Sequence, residues 1–198
     1  MNLRDIAYRC VSSCIIKAEK RCFKLSSGKV SPYYIDLRKI LFGDPECLDV
    51  IARLIYETYL KNEKFDILAC KALGAVPLIV ALSLLTRKPM LILRERPKEH
   101  GLGGMLVGPV ENVRGSDVII IDDVCTTGST ILQVAKIVRE LGGRVRKAIV
   151  VVDREEGCRE NLEKEGIELL CLYKRSDLGI SDEWLREAYS KICVESLE

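Results

Sequence analysis

Residues 118–130, VIIIDDVCTTGST, constrain this chain more than any other stretch. Val118, Ile119, Ile120 and Ile121 form a short apolar run rich in β-branched residues. Such a run predicts a strand buried on both faces of a parallel sheet. Asp122 and Asp123 follow where that strand is expected to end. The small, hydroxylated run Thr126, Thr127, Gly128, Ser129 and Thr130 then leads into a helical pattern of Ile131, Leu132, Val134, Ala135, Val138 and Leu141. A strand, a tight turn and a helix N-terminus together make an anion site. The helix offers unpaired backbone N–H groups and the positive end of its dipole. Gly128 lets the backbone come close to a phosphate.

The adjacent carboxylates set this turn apart from a simple phosphate loop. A P-loop carries Gly-Lys-Ser/Thr, and that lysine is missing here. Two neighbouring aspartates suit a vicinal diol with a divalent metal nearby. The ligand so implied is a sugar phosphate, with ribose hydroxyls on Asp122 and Asp123 and the 5′-phosphate on residues 126–130. The competing reading is an ordinary turn with Asp and Thr as caps. The complete string resembles the diphosphate-sugar signature of the type I phosphoribosyltransferases. That resemblance assigns Asp122, Asp123, Val124, Cys125, Thr126, Thr127, Gly128, Ser129 and Thr130 to 5-phosphoribosyl 1-diphosphate. It also implies Mg2+, held mainly by the diphosphate, with Asp122 and Asp123 as indirect metal contacts.

A length of 198 residues suits one domain, 1–198, and hydrophobic residues at 48% are enough for a full core. The net charge of +2 gives no global argument for nucleic acid. No apolar run approaches the ~18 residues of a membrane helix, and the N-terminus lacks a signal-peptide core. A cytoplasmic protein is expected. The nine cysteines include no Cys-x-x-Cys pair, and His100 is the sole imidazole, which argues against zinc. Most of the cysteines are expected to be buried thiols. Asn and Gln are scarce, Gln133 being the one glutamine, which leans towards a thermophilic source. Disulfides inside the cell are then an option.

Taken in order, residues 3–17 read as an amphipathic helix on Leu3, Ile6, Ala7, Cys10, Cys14 and Ile15. Two short strands around a Gly28 turn fit residues 23–38. Taken alone, this is an edge hairpin with surface lysines. The run FKLSSGKVSPYYIDLR, however, resembles the N-terminal hood of the orotate phosphoribosyltransferases. In that branch the region of Tyr33, Tyr34 and Ile35 lies over the pyrimidine, so Tyr34 and Ile35 are expected orotate contacts. Many members carry a lysine where Ser26 stands. Either Lys29 or Lys71 compensates, or the contact is absent.

Residues 45–60 read as a second helix, 66–70 as a buried strand, 71–85 as a loop opening a helix, and 89–93 as a third strand. Lys71 is either a diphosphate contact or a solvent-facing lysine. Residues 94–104 combine basic groups with three glycines and no helical period, which predicts a mobile loop. Their spacing resembles the catalytic lid of the same branch, with Arg94, Lys98 and His100 matching its motif. Glu95 replaces the usual lysine, and Arg96 is positioned to restore that charge. A strand over 144–152 ends at Asp153-Arg154. An arginine there can fork onto a carboxylate, or pair with Glu155 or Asp153. The resemblance assigns Arg154 and Thr126 to orotate. Residues 158–166 read as helix, 167–173 as strand and 182–192 as a last helix.

Alternating strands and helices predict an α/β fold with a mainly parallel central sheet flanked by helices. The resemblance adds the type I phosphoribosyltransferase fold, with a small N-terminal hood from about residues 1–40 plus the C-terminal segment. It implies transfer of ribose 5-phosphate to orotate, in pyrimidine nucleotide synthesis, with Lys98, Asp122 and Asp123 catalytic and the active sites shared in a homodimer. Two alternatives stand beside it: a transferase for another base, and a non-catalytic regulator that binds the same sugar diphosphate. No nucleic acid or membrane partner is expected.

Overall fold

The computed structural model of this chain describes residues 2–24, 30–95 and 105–193. Its centre is a six-stranded sheet built from β5 (Ile67–Lys71), β6 (Met90–Leu93), β7 (Leu106–Val107), β8 (Asp117–Cys125), β9 (Arg144–Asp153) and β10 (Glu168–Lys174). Their spatial order is β10-β9-β8-β5-β6-β7, and every pairing is parallel except β6 with β7. The order reverses direction between β5 and β8. In open α/β sheets the crevice outside the strands' carboxyl ends at such a point is where ligands bind.

The apolar run of β8 is buried on both faces, as its composition predicts. Val118 and Ile120 pack in one core with Val134 and Val138 of α5 (Ser129–Glu140). Ile119 and Ile121 pack in the other with Leu78, Ile79 and Leu82 of α4 (Val76–Thr86). The strand does not stop before the aspartates. Its pairing with β9 continues through Asp122 opposite Val150 to Cys125 opposite Asp153, so both carboxylates stand on strand backbone. A strand's end is set by how far its neighbour keeps pairing, and the sequence of β8 alone does not hold that information.

The N-terminal helix is also shorter than the pattern predicts. Helix α1 (Leu3–Ser12) starts at a capping box between Asn2 and Asp5. The chain then enters β1 (Ile15–Lys17), which pairs antiparallel with β4 (Tyr33–Ile35). Tertiary pairing overrides the helical period that Cys14 and Ile15 continue. Strands β2 (Phe23–Lys24) and β3 (Val30–Ser31) make the second small sheet of the hood, as expected. The six-residue helix α2 (Arg38–Gly43) and the edge strand β7 escaped the sequence reading, as did β1. Helix α3 (Pro45–Ile55) is capped by Asp44 and runs into a π-helical turn, Tyr56–Leu60. Helix α6 (Cys158–Lys164) follows β9, and α7 (Asp182–Ala188) with the turn Tyr189–Cys193 closes the described chain against the hood.

The cysteine expectation is corrected. Three disulfides use six of the nine: Cys10–Cys47 joins α1 to α3, Cys22–Cys193 joins the hood to the last turn, and Cys125–Cys158 joins β8 to α6. Only Cys14, Cys70 and Cys171 are free thiols. Periodicity marks a cysteine as apolar, but not which distant cysteine it meets.

Candidate active site

A pocket of about 560 Å³ opens at the carboxyl ends of β5 and β8, at the reversal of strand order. Its walls include Tyr34, Ile35, Lys71, Gly74, Asp122, Asp123, Val124, Cys125, residues 126–130 and Arg154. The structure thus gathers most of the predicted site residues, from four separate stretches of chain, around one cavity.

The turn after β8 has the features of an anion cradle. Gly128 adopts φ 84°, a left-handed conformation that suits glycine. No side chain caps the start of α5, so the helix's first amides are open towards the pocket. The turn is held from outside. The Asn161 side-chain amide donates to the Thr127 carbonyl (3.0 Å), and the Cys125–Cys158 disulfide fixes where the turn begins.

The aspartate pair lines the pocket, with Asp36 and Glu95 also on its walls. The Asp123 amide donates to Oδ1 of Asp122 (3.1 Å), and the Val124 amide to Oδ1 of Asp123 (2.9 Å). Burial pushes the Asp122 carboxyl well above the usual carboxylate range, and the neighbouring Asp123 charge adds to the shift. Lys71 acts the other way on Asp122. The Lys71 ammonium donates to Oε1 of Gln133 (3.0 Å) while also lining the pocket. Burial likewise pushes the Cys70 thiol up to about 12, so it stays protonated beneath the pair.

Arg154 sits just past β9, and its amide donates to the Cys125 carbonyl (2.9 Å), which places it beside Thr126. The guanidinium is buried, yet it pairs with neither Asp153 nor Glu155. It bonds Glu156, Tyr33 and Ser31 instead. Of the two hood tyrosines only Tyr34 reaches the pocket. Tyr33 points to the opposite face of β4, packs on Trp184 and is fully buried.

Arg94 lies apart from the main pocket, in an adjoining hollow of about 300 Å³ with Gln133 and Lys136; Lys71 lines both. Glu95 lines the main pocket. Ser26, Lys29, Arg96, Lys98 and His100 fall outside the described residues. Three residues missed by the sequence reading matter here. Gly74 approaches Asp123, while Ser31 and Glu156 hold Arg154. The one signal for Gly74 was a glycine in the turn after β5, and nothing marked the other two.

The residues present fit magnesium as a guest held in part by substrate. A buried carboxylate side by side with a second one calls for cationic compensation, and hard oxygen donors suit Mg2+. Among the described residues no third His, Cys, Asp or Glu joins them in a group able to hold a metal. The pair therefore fits a cation whose remaining ligands come from substrate oxygens and water.

The phosphoribosyl transferase domain profile matches residues 39–171, well over half of the chain. The chain belongs to that family. An orotate phosphoribosyltransferase of Pyrococcus horikoshii is 48% identical over 157 residues, covering 79% of this chain and 83% of the relative. One from Pyrococcus furiosus is 43% identical, covering 83% and 94%. Among solved structures, the orotate phosphoribosyltransferase of Aeropyrum pernix superposes with TM-score 0.72 at 29% identity, covering 89% of this chain and 96% of that one. The Mycobacterium tuberculosis enzyme in complex with 5-phospho-α-D-ribosyl 1-diphosphate gives 0.71 at 25% identity, covering 90% and 99%. Within the family, the chain falls in the orotate branch.

Proposed function

We propose that this protein transfers ribose 5-phosphate from 5-phosphoribosyl 1-diphosphate to orotate, giving orotidine 5′-phosphate and diphosphate in pyrimidine nucleotide synthesis. The observation that carries the reading is the meeting of two recognition sets in one cavity. The aspartate pair and the amide cradle of residues 126–130 suit a sugar phosphate, and a buried arginine on the same wall suits an anionic base.

The sugar diphosphate lies with its 5′-phosphate on the amides of residues 126–130 and its ribose hydroxyls on Asp122 and Asp123. As the C1–O bond breaks, negative charge grows on the departing diphosphate and positive character on C1. Asp122 and Asp123 place negative field beside C1. Lys71, which lines the pocket, is assigned to the diphosphate, and Arg94, Lys98 and His100 are assigned to the same group. Magnesium, when bound, neutralises diphosphate charge. Orotate's ring nitrogen is the nucleophile, under Tyr34 and Ile35, with its carboxylate directed by Arg154 and Thr126. Orotate is already an anion, so orientation contributes more than proton abstraction.

We further assign a homodimer with shared sites, Lys98 reaching the partner's pocket. Helix α4 supports this: it is apolar on all sides, yet Val80 and Leu84 are exposed, with Leu73 and Phe42 also bare. A helix of that kind is normally covered. The chain is read as one domain, with its hood drawn from the first 40 or so residues and the C-terminal segment. No helix among the described residues is long and apolar enough to cross a membrane. A cytoplasmic setting suits substrates too highly charged to cross a bilayer unaided. The test is a base screen with 5-phosphoribosyl 1-diphosphate and magnesium, following diphosphate release. Orotate should turn over while uracil, adenine and hypoxanthine are poor. Equal use of uracil, which lacks the carboxylate, would refute the assignment.

A further inference from the structure

Arg154 has five N–H donors, and the structure accounts for three of them within the protein. Nε donates to Oε1 of Glu156 (2.9 Å) and to the Tyr33 hydroxyl (3.0 Å). Nη2 donates to Ser31 Oγ (3.2 Å) and lies 2.8 Å from Oε1 of Glu156. No hydrogen bond among the described residues uses Nη1. The partners are fixed in turn. The Ser31 hydroxyl donates to the Tyr33 carbonyl (2.7 Å) and accepts from the Tyr33 amide (3.4 Å), which leaves a lone pair for the guanidinium. Burial holds the Tyr33 hydroxyl protonated, so it donates to Glu156 (3.0 Å) while accepting from Arg154. The Arg154 guanidinium also lies over the Tyr33 ring, 4.4 Å from its centroid, and Trp184 of α7 packs edge-on against that ring.

We propose that Glu156 is a positioning residue for base selection, occupying one edge of Arg154 so that the arginine meets an incoming carboxylate only through Nη1. This rests on orotate being the base. An unbraced arginine would offer two forks, each able to take a carboxylate bidentately in a different pose. With the Nε–Nη2 edge filled, one pose remains, and the ring nitrogen is delivered to C1 from a single direction. Glu156 also balances the arginine's charge, so an anion gains by fitting the remaining donors and not by charge alone. The side chain of Glu156 is 31% exposed against 5% for Arg154, so a part-exposed carboxylate pairs with a buried cation.

The experiment measures kcat and both KM values for wild type, Glu156→Ala and Glu156→Gln. Glu156→Ala should lower kcat with orotate by between about 10- and 100-fold, the scale of a misplaced reactant. Its KM for 5-phosphoribosyl 1-diphosphate should move less than about twofold, since that substrate is held by other residues. Glu156→Gln keeps an acceptor for Nε, Nη2 and the Tyr33 hydroxyl, and should restore most of the turnover. An unchanged kcat in Glu156→Ala would overturn the inference. So would a fall in its orotate KM, which would make Glu156 a competitor of the substrate and not a brace. If Glu156→Ala does not fold, Tyr33→Phe takes its place: a kcat reduced several-fold at constant sugar-diphosphate KM supports the brace, and an unchanged kcat refutes it. Absence of orotate turnover in the wild type would instead refute the functional reading on which the inference rests.

Discussion

A β-carbon on Gly74 would lie 2.5 Å from Oδ2 of Asp123. The turn after β5 therefore passes so close to the carboxylate that only glycine fits without moving it. Oδ1 of Asp123 is already held by the Val124 amide, so the carboxylate has little room to yield. Gly74→Ala should keep its fold but turn Asp123 away from the ribose. Losing charge-assisted hydrogen bonds of about 1.5–3 kcal/mol corresponds to roughly 10- to 150-fold weaker binding of 5-phosphoribosyl 1-diphosphate. Calorimetry with that ligand checks it, and wild-type affinity in the variant would show that the contact has no role.

Asp122 has a raised folded-state pKa, caused first by burial and then by Asp123. The native state therefore binds more protons than the unfolded chain, whose aspartates titrate near ~3.9. Stability from this group is fully present below that pH and is lost as pH rises through the folded value. Asp122→Asn keeps an oxygen for the Asp123 amide and removes the buried charge. It should melt higher than wild type at pH 7, by about 2–4 °C for each ~1 kcal/mol relieved, with the gain fading below about pH 4. Thermal scans from pH 4 to 8 decide it, and a variant that melts lower at pH 7 contradicts the account.

How much of this was legible beforehand follows from where each fact resides. The buried strand over 118–121, the glycine turn before α5 and the arginine past β9 are local patterns, and all three stand where the sequence puts them. The length of β8 depends on pairing with β9, and the shortening of α1 on pairing with β4. The three disulfides, the approach of Gly74 to Asp123 and the brace of Glu156 on Arg154 are relations between residues. No single residue's type or period encodes them.

The Cys22–Cys193 disulfide ties the hood to the last turn across a separation of 171 residues. Closing a loop of that length constrains the unfolded chain strongly, typically by about 2–4 kcal/mol. Cys193→Ser should lower Tm by roughly 5–15 °C under oxidising conditions. With excess reductant, wild type and variant should converge. A variant that melts with the oxidised wild type would show that the bridge contributes nothing to stability.

Lys98 is assigned to the pocket of the partner subunit. Lys98→Ala and Asp123→Asn, prepared separately as inactive proteins, should regain activity when unfolded and refolded together. Random pairing makes about half the dimers mixed, and each mixed dimer has one site with both residues intact. Roughly a quarter of wild-type activity should return. A mixture that stays inactive, with mixed dimers proven by sedimentation, would place Lys98 in its own subunit's site.

Arg154 is assigned to read the carboxylate of the base. Orotidine 5′-phosphate and uridine 5′-phosphate differ only in that carboxylate, so their binding to wild type and to Arg154→Ala forms a closed thermodynamic cycle. Calorimetric titration of all four pairs should show wild type preferring the carboxylated nucleotide by about 1.5–3 kcal/mol, roughly 10- to 150-fold. Arg154→Ala should lose that preference while holding uridine 5′-phosphate as before. An equal preference in both proteins would contradict the account and leave Arg154 a structural partner of Glu156 alone.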